Sequence, residues 1–229
     1  MNSVKKLLLF FVVSVIMQKD VFAAFTLNGT RYIYPEGNKS ISFEVTNNSD
    51  RNYGGQVWID NLSSKDDDVF MIAQPSFFKI SSKQKQVLRI IKVGDNIPNN
   101  RESLFWLNVQ EIPPKPSETD GNILALAMNT KVKIFYRPES IVGNRKDAEK
   151  KITIENVGNE TIIRNPTPYY FAIVDIKLNN EEVRFNENVK KSLSIFEPYS
   201  SVSLGKKLSG KVTISAINDW GGVQSYDVK

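Results

Sequence analysis

Residues 205–211, GKKLSGK, match all seven positions of the phosphate-binding pattern G-x-x-x-x-G-K. In such a loop the backbone amides cradle a phosphate, the lysine reaches its outer oxygens, and a following Ser or Thr holds magnesium. Here the next residue is Val212, and VTISAIND reads on as a strand, not as the helix whose N-terminus completes the cradle. The stretch is therefore read as a β-hairpin turn rich in glycine and lysine, with no nucleotide. Asp66, Asp67 and Asp68 are calcium ligands by type, but no EF-hand glycine or distal glutamate follows at the required spacing, and a solvated turn is expected. Glu149, Glu181 and Glu182 stand as isolated carboxylates. The chain has no cysteine and no histidine. That removes thiolate and imidazole nucleophiles, bases and metal ligands. Trp58, Trp106 and Trp220 could stack on a sugar, yet each sits among alternating apolar residues, which favours core packing or an edge contact. No metal, no cofactor and no enzymatic activity are expected.

A different chemistry, the pairing of backbones, is suggested by NILALAMNTKVKIFYRP at 122–138. Leu124, Leu126 and Met128 alternate with Ala125 and Ala127, and Lys131 and Lys133 follow. Period two means a strand with its larger side chains on one face. Two readings are open. The row is the inner face of a central strand, or it belongs to an edge strand that offers its backbone to a partner. Exposed apolar edges are normally selected against because they aggregate; where one persists, pairing is its use.

The elements that must position these residues are strands. KSISFEVTN puts Ile41, Phe43 and Val45 on one face, and GQVWID, QVLRIIKV and SLFWLNVQ are further short β-rich runs, separated by turn clusters such as PEGN and NNSDRN. No helical stripe longer than two turns is evident. Strands at this spacing argue for antiparallel sandwiches. YRPESIVGNRKDAEKK marks a seam, after which a second strand series begins. The expected organisation is all-β, with sandwich domains over 24–140 and 144–229 and a cleft between them. Ahead of them, Lys5 and Lys6, an apolar run from Leu7 to Met17 and the tripeptide VFA form a secretory signal peptide over 1–23, too short to span a bilayer. Lys5, Lys6, Lys19 and Asp20 give that segment a net +2, so the remaining 206 residues carry +3 of the chain's +5. Such a scattered excess of lysine serves solubility rather than nucleic-acid binding.

The blocks RESLFWLNVQEIPP, LALAMNTKVKIFYRP, NPTPYYFAI and AINDWGG, in that order, resemble those of the periplasmic pilus-assembly chaperones of the chaperone–usher system, the PapD-like family. The resemblance covers the whole mature chain. It implies two immunoglobulin-like sandwiches in a boomerang, periplasmic location, pilus subunits and an outer-membrane usher as partners, and no nucleotide; self-association of the free form is left open. It implies that Leu124, Leu126 and Met128 fill a groove in a subunit that lacks a strand. It assigns Arg31 and Lys133 to the subunit's C-terminal carboxylate, and Glu102, Arg137 and Asp219 to an interdomain ionic network. The short connection after Pro114, without a cysteine pair, resembles the short-loop subgroup. Counting by twos, Lys133 has the opposite parity to Leu124, Leu126 and Met128. Either a bulge or strong twist intervenes, or cleft and groove use different faces. A secreted fimbrial subunit, structural or adhesive, is the alternative; a secreted carbohydrate-active enzyme would need paired carboxylates that the sequence does not display.

Overall fold

The computed structural model describes residues 23–62, 68–115 and 126–228. Leu124 and the signal segment 1–22 lie outside the described residues, as do Asp66 and Asp67. Two hydrophobic cores form, each between two sheets.

The first sandwich takes β1 (Phe25–Leu27), β2 (Arg31–Pro35), β3 (Ser40–Asn47), β4 (Tyr53–Asn61), β5 (Met71–Gln74), β6 (Phe77–Ile80), β7 (Lys85–Lys92), β8 (Ser103–Ile112) and β9 (Asn129–Arg137). Its sheets run β1-β3-β7-β5 and β2-β9-β8-β4-β6. Alternation decides which residues meet between them. Phe43 and Val45 of β3, Leu88 and Ile90 of β7, Phe105, Leu107 and Val109 of β8, and Ile134 and Tyr136 of β9 are all buried in one core.

The seam carries a single helical turn, α1 (Glu139–Val142), and a 3₁₀ turn at Ala148–Lys151. The second sandwich follows, with β10 (Thr153–Val157), β11 (Glu160–Arg164), β12 (Ile173–Leu178), β13 (Glu181–Glu182), α2 (Glu187–Ser194), β14 (Ser201–Ser203), β15 (Val212–Ile217) and β16 (Val223–Val228). Its sheets are β10-β11-β14 and β13-β12-β15-β16. Helix α2 spans two turns, and its N-cap Asn186 accepts a hydrogen bond from the Val189 amide at 2.9 Å.

The loop 205–211 departs from the expected hairpin. It joins β14 to β15, which belong to different sheets, so it is a crossover. The buried Leu208 ties its middle into the core. Gly210 has φ +145°, and a Cβ there would meet the Asn179 side chain at 2.6 Å, so glycine serves loop geometry at this position.

Candidate functional site

β9 organises the site because its two faces do different work. Ile134 and Tyr136 point into the first core, and Val132 packs against it. The odd residues point the other way: Lys131 to Trp106, Lys133 and Arg137 to the second sandwich, and Phe135 to the Tyr170 ring, 6.1 Å between centroids. Pairing with β8 runs without a break from Asn129 to Tyr136. No bulge reverses parity over this span, and the lysine row and the core row are opposite faces of one regular strand.

The register brings the two anchor candidates together. β2 lies parallel to β9 with Arg31 opposite Lys133. Each reaches across to the second sandwich and finds only a neutral acceptor there. Arg31 Nη1 donates to the Ile217 carbonyl at 2.9 Å, and Lys133 Nζ donates to the Ser194 carbonyl. Arg31 Nε is buried without a hydrogen-bond partner. Among the described residues neither cation forms an ion pair of its own. Burial pulls the Arg31 guanidinium below its usual pKa, with Asp219 opposing the shift. Burial and then the Arg31 charge bring the Lys133 ammonium down to about 8. Trp106 lies beneath the lysines, its ring 5.0 Å from Lys131 Nζ and 5.8 Å from Lys133 Nζ.

β2 covers β9 only from Lys133 onward. From Asn129 to Val132 the strand is paired with β8 on one side, and among the described residues no strand pairs with its other edge. Leu126 and Met128 precede the strand and are 68% and 52% exposed. Neither belongs to the protein's own core.

Glu102, Arg137 and Asp219 meet across the seam. Arg137 Nε donates to Glu102 at 2.7 Å, and its two terminal nitrogens donate to Asp219 at 2.7 and 3.1 Å. Glu102 also accepts from the Tyr170 amide at 2.8 Å. Burial pushes the Glu102 carboxyl up against the pull of Arg137. Burial would raise Asp219 as well, but hydrogen bonding and charge from Arg137 hold it below the usual carboxylate range. Arg145 enlarges the network, bidentate to Glu149 at 2.8 and 3.0 Å and 3.4 Å from Asp219. Glu149, isolated in the sequence reading, is thus a buried partner; the i,i+4 spacing of Arg145 and Glu149 was the available signal. Of the three tryptophans, Trp58 and Trp106 are half-buried and Trp220 alone departs from the expected core or edge contact. None lies in either core, and Trp220 is 95% exposed on the turn after β15. Amides of Trp220 and Gly222 donating to the Asn218 side chain fix that turn and leave the indole outside.

Two family models match in sequence order. Residues 24–142 match the N-terminal domain of PapD, described as a pili and flagellar-assembly chaperone, and residues 147–228 match the C-terminal domain of the pili assembly chaperone PapD. The chain belongs to the PapD family of pilus-assembly chaperones. Among its relatives, the Escherichia coli chaperone protein FanE is 48% identical over 208 residues, covering 90% of this chain and 91% of FanE. The E. coli chaperone protein FaeE is 34% identical, covering 92% of this chain and 80% of FaeE. The solved structure of the E. coli chaperone DraB superposes with a TM-score of 0.75 at 27% identity, covering 92% of this chain and 97% of DraB. These matches do not favour the fibre-subunit alternative. In this PapD-family chaperone, then, the cation pair, the half-open edge and the ionic seam each draw a residue or a face from one strand, β9.

Proposed function

We propose that this chaperone acts in the periplasm, after loss of a leader over 1–23, and captures a fimbrial subunit at the junction of domains 24–140 and 144–229. Arg31 and Lys133 hold the subunit's C-terminal carboxylate. Segment 124–132 pairs with the subunit as an added strand, and Leu124, Leu126 and Met128 enter its open core. The loaded complex goes to an outer-membrane usher.

The observation that carries this reading is the pair of half-buried cations in register on adjacent strands whose hydrogen-bond acceptors, among the described residues, are carbonyls alone. Two such charges repel each other and lose hydration, which costs the free protein stability. An incoming carboxylate offsets that cost with charge-assisted hydrogen bonds, each contributing about 1.5–3 kcal/mol. Anchoring one end also fixes register, because a slip of one residue turns the apolar row away from the groove. Each apolar side chain fully buried in the subunit adds about 1.5–3 kcal/mol. No step calls for a nucleotide.

Co-expression of the full chain with fimbrial subunits, followed by purification from the periplasm, tests this. A stable one-to-one complex with a subunit is expected. A folded chaperone that recovers no subunit, beside subunits that accumulate intact without it, contradicts the reading.

A further inference from the structure

Glu111 continues the core-facing row of β8 after Phe105, Leu107 and Val109, and it is 4% exposed. A carboxylate at such a position is costly unless a cation and hydrogen bonds compensate it. Its hydrogen bond comes from the Phe25 amide, which donates to Oε1 at 2.7 Å. Among the described residues no lysine or arginine pairs with it, although the ion pairs elsewhere are numerous. Around Phe25 and Glu111 lie the rings of Tyr53 and Phe78 and the main chain of Asn48 and Met128. Of these only Tyr53 can titrate, and none is a cation.

The missing charge is one residue away in sequence. Consecutive backbone nitrogens are at most about 3.7 Å apart. The Ala24 nitrogen therefore lies within about 6.4 Å of Glu111 Oε1, given the 2.7 Å bond to Phe25. In the unprocessed chain that nitrogen is a neutral amide. Cleavage after Ala23 turns it into an ammonium, close enough to a buried carboxylate for strong interaction.

We propose that Glu111 is a receiving site for the new N-terminus: leader removal creates the cation that this buried carboxylate lacks, and the pair locks β1 into the first sandwich. This rests on the leader reading above. The consequence reaches the functional strand, because the Glu111 amide donates to the Met128 carbonyl at 2.9 Å, at the start of the open edge. Processing thus adds an ion pair at the residue whose amide already holds the end of the segment offered to subunits, and an uncleaved precursor lacks that ion pair.

The test uses the protein secreted from the full-length chain. Its intact mass is expected to show a first residue at Ala24. The α-amine is then labelled with acetic anhydride across a pH series, and the N-terminal peptide is read by mass spectrometry. In the native protein the labelling midpoint is expected about one pH unit above that of the same chain in urea, which lowers its labelling at pH 8 about fourfold. Glu111→Gln keeps an acceptor for the Phe25 amide and removes the charge, so its midpoint is expected to return to the urea value. A chain that begins elsewhere overturns the proposal through the leader. A chain that begins at Ala24 with equal native and urea midpoints overturns the ion pair and leaves the leader reading standing.

Discussion

Lys133 gives the proposed anchor its pH signature. Its ammonium is depressed to about 8 by burial and by Arg31, whereas an unfolded lysine titrates near about 10.4. The folded protein therefore sheds this proton first as pH rises. Its unfavourable contribution is fully present below about 8 and is relieved between there and the unfolded value. Lys133→Met should raise the melting temperature of the free chaperone at pH 7, and the gain should shrink by pH 10; an equal gain at both would remove burial of charge as its cause. A bound carboxylate favours the charged lysine, so affinity for a subunit's C-terminal peptide should fall about tenfold by pH 9 relative to pH 6.5. Calorimetric titration at the two values checks this. Arg31→Lys should restore little of what Arg31→Ala loses, because a point charge does not replace a planar fork. The pair was legible only through family resemblance. About a hundred residues separate the two positions in sequence, and parallel pairing of β2 with β9 joins them. Trp220 was misread because its neighbours look apolar, whereas the Asn218 turn chemistry sets its exposure.

Within β9 the two faces predict opposite mutational outcomes. Ile134 is fully buried, and Ile134→Ala should cost about 2–5 kcal/mol in denaturant unfolding. Leu126 is 68% exposed, and Leu126→Asp should leave unfolding within about 0.5 kcal/mol of the parent while abolishing recovery of subunits from the periplasm. Unfolding of the free protein by Leu126→Asp would return that residue to the chaperone's own core. The parity count in the sequence set Lys133 apart from Leu126 and Met128, and Ile134 and Tyr136, of the same even parity as those two, face the protein's own core. The count did not mark where the protein's own pairing stops. That boundary depends on where β8 ends and on how little of β9 is covered by β2, both set by tertiary register rather than by local pattern. The same limit explains the crossover at 205–211, where glycine and lysine content suggests a turn but not which two strands it joins.

At the scale of the molecule, the sandwiches are joined by charge at the seam. Glu102→Ala would leave the buried Arg137 guanidinium with one partner fewer, and a loss approaching the roughly 3–5 kcal/mol of a broken buried pair is expected. Asp219→Ala should lower the melting temperature and broaden the small-angle scattering profile while both sandwiches keep their β-sheet signal; unchanged melting and scattering would deny the seam its role. Two strand series and a seam were readable from turn spacing, but contacts between residues 82 apart, such as Arg137 with Asp219, are not. The proposed capture needs the joined molecule, because Arg31 and Lys133 both leave the first sandwich and rest on carbonyls of the second. The most direct measurement is calorimetric binding of one subunit-derived C-terminal peptide in two forms, free acid and amide, to the parent and to the Arg31→Ala, Lys133→Ala double variant. Amidation should weaken binding to the parent by at least about tenfold, the equivalent of one charge-assisted bond, and leave the double variant's residual affinity unchanged. Equal affinity of the parent for both forms would contradict the carboxylate anchor.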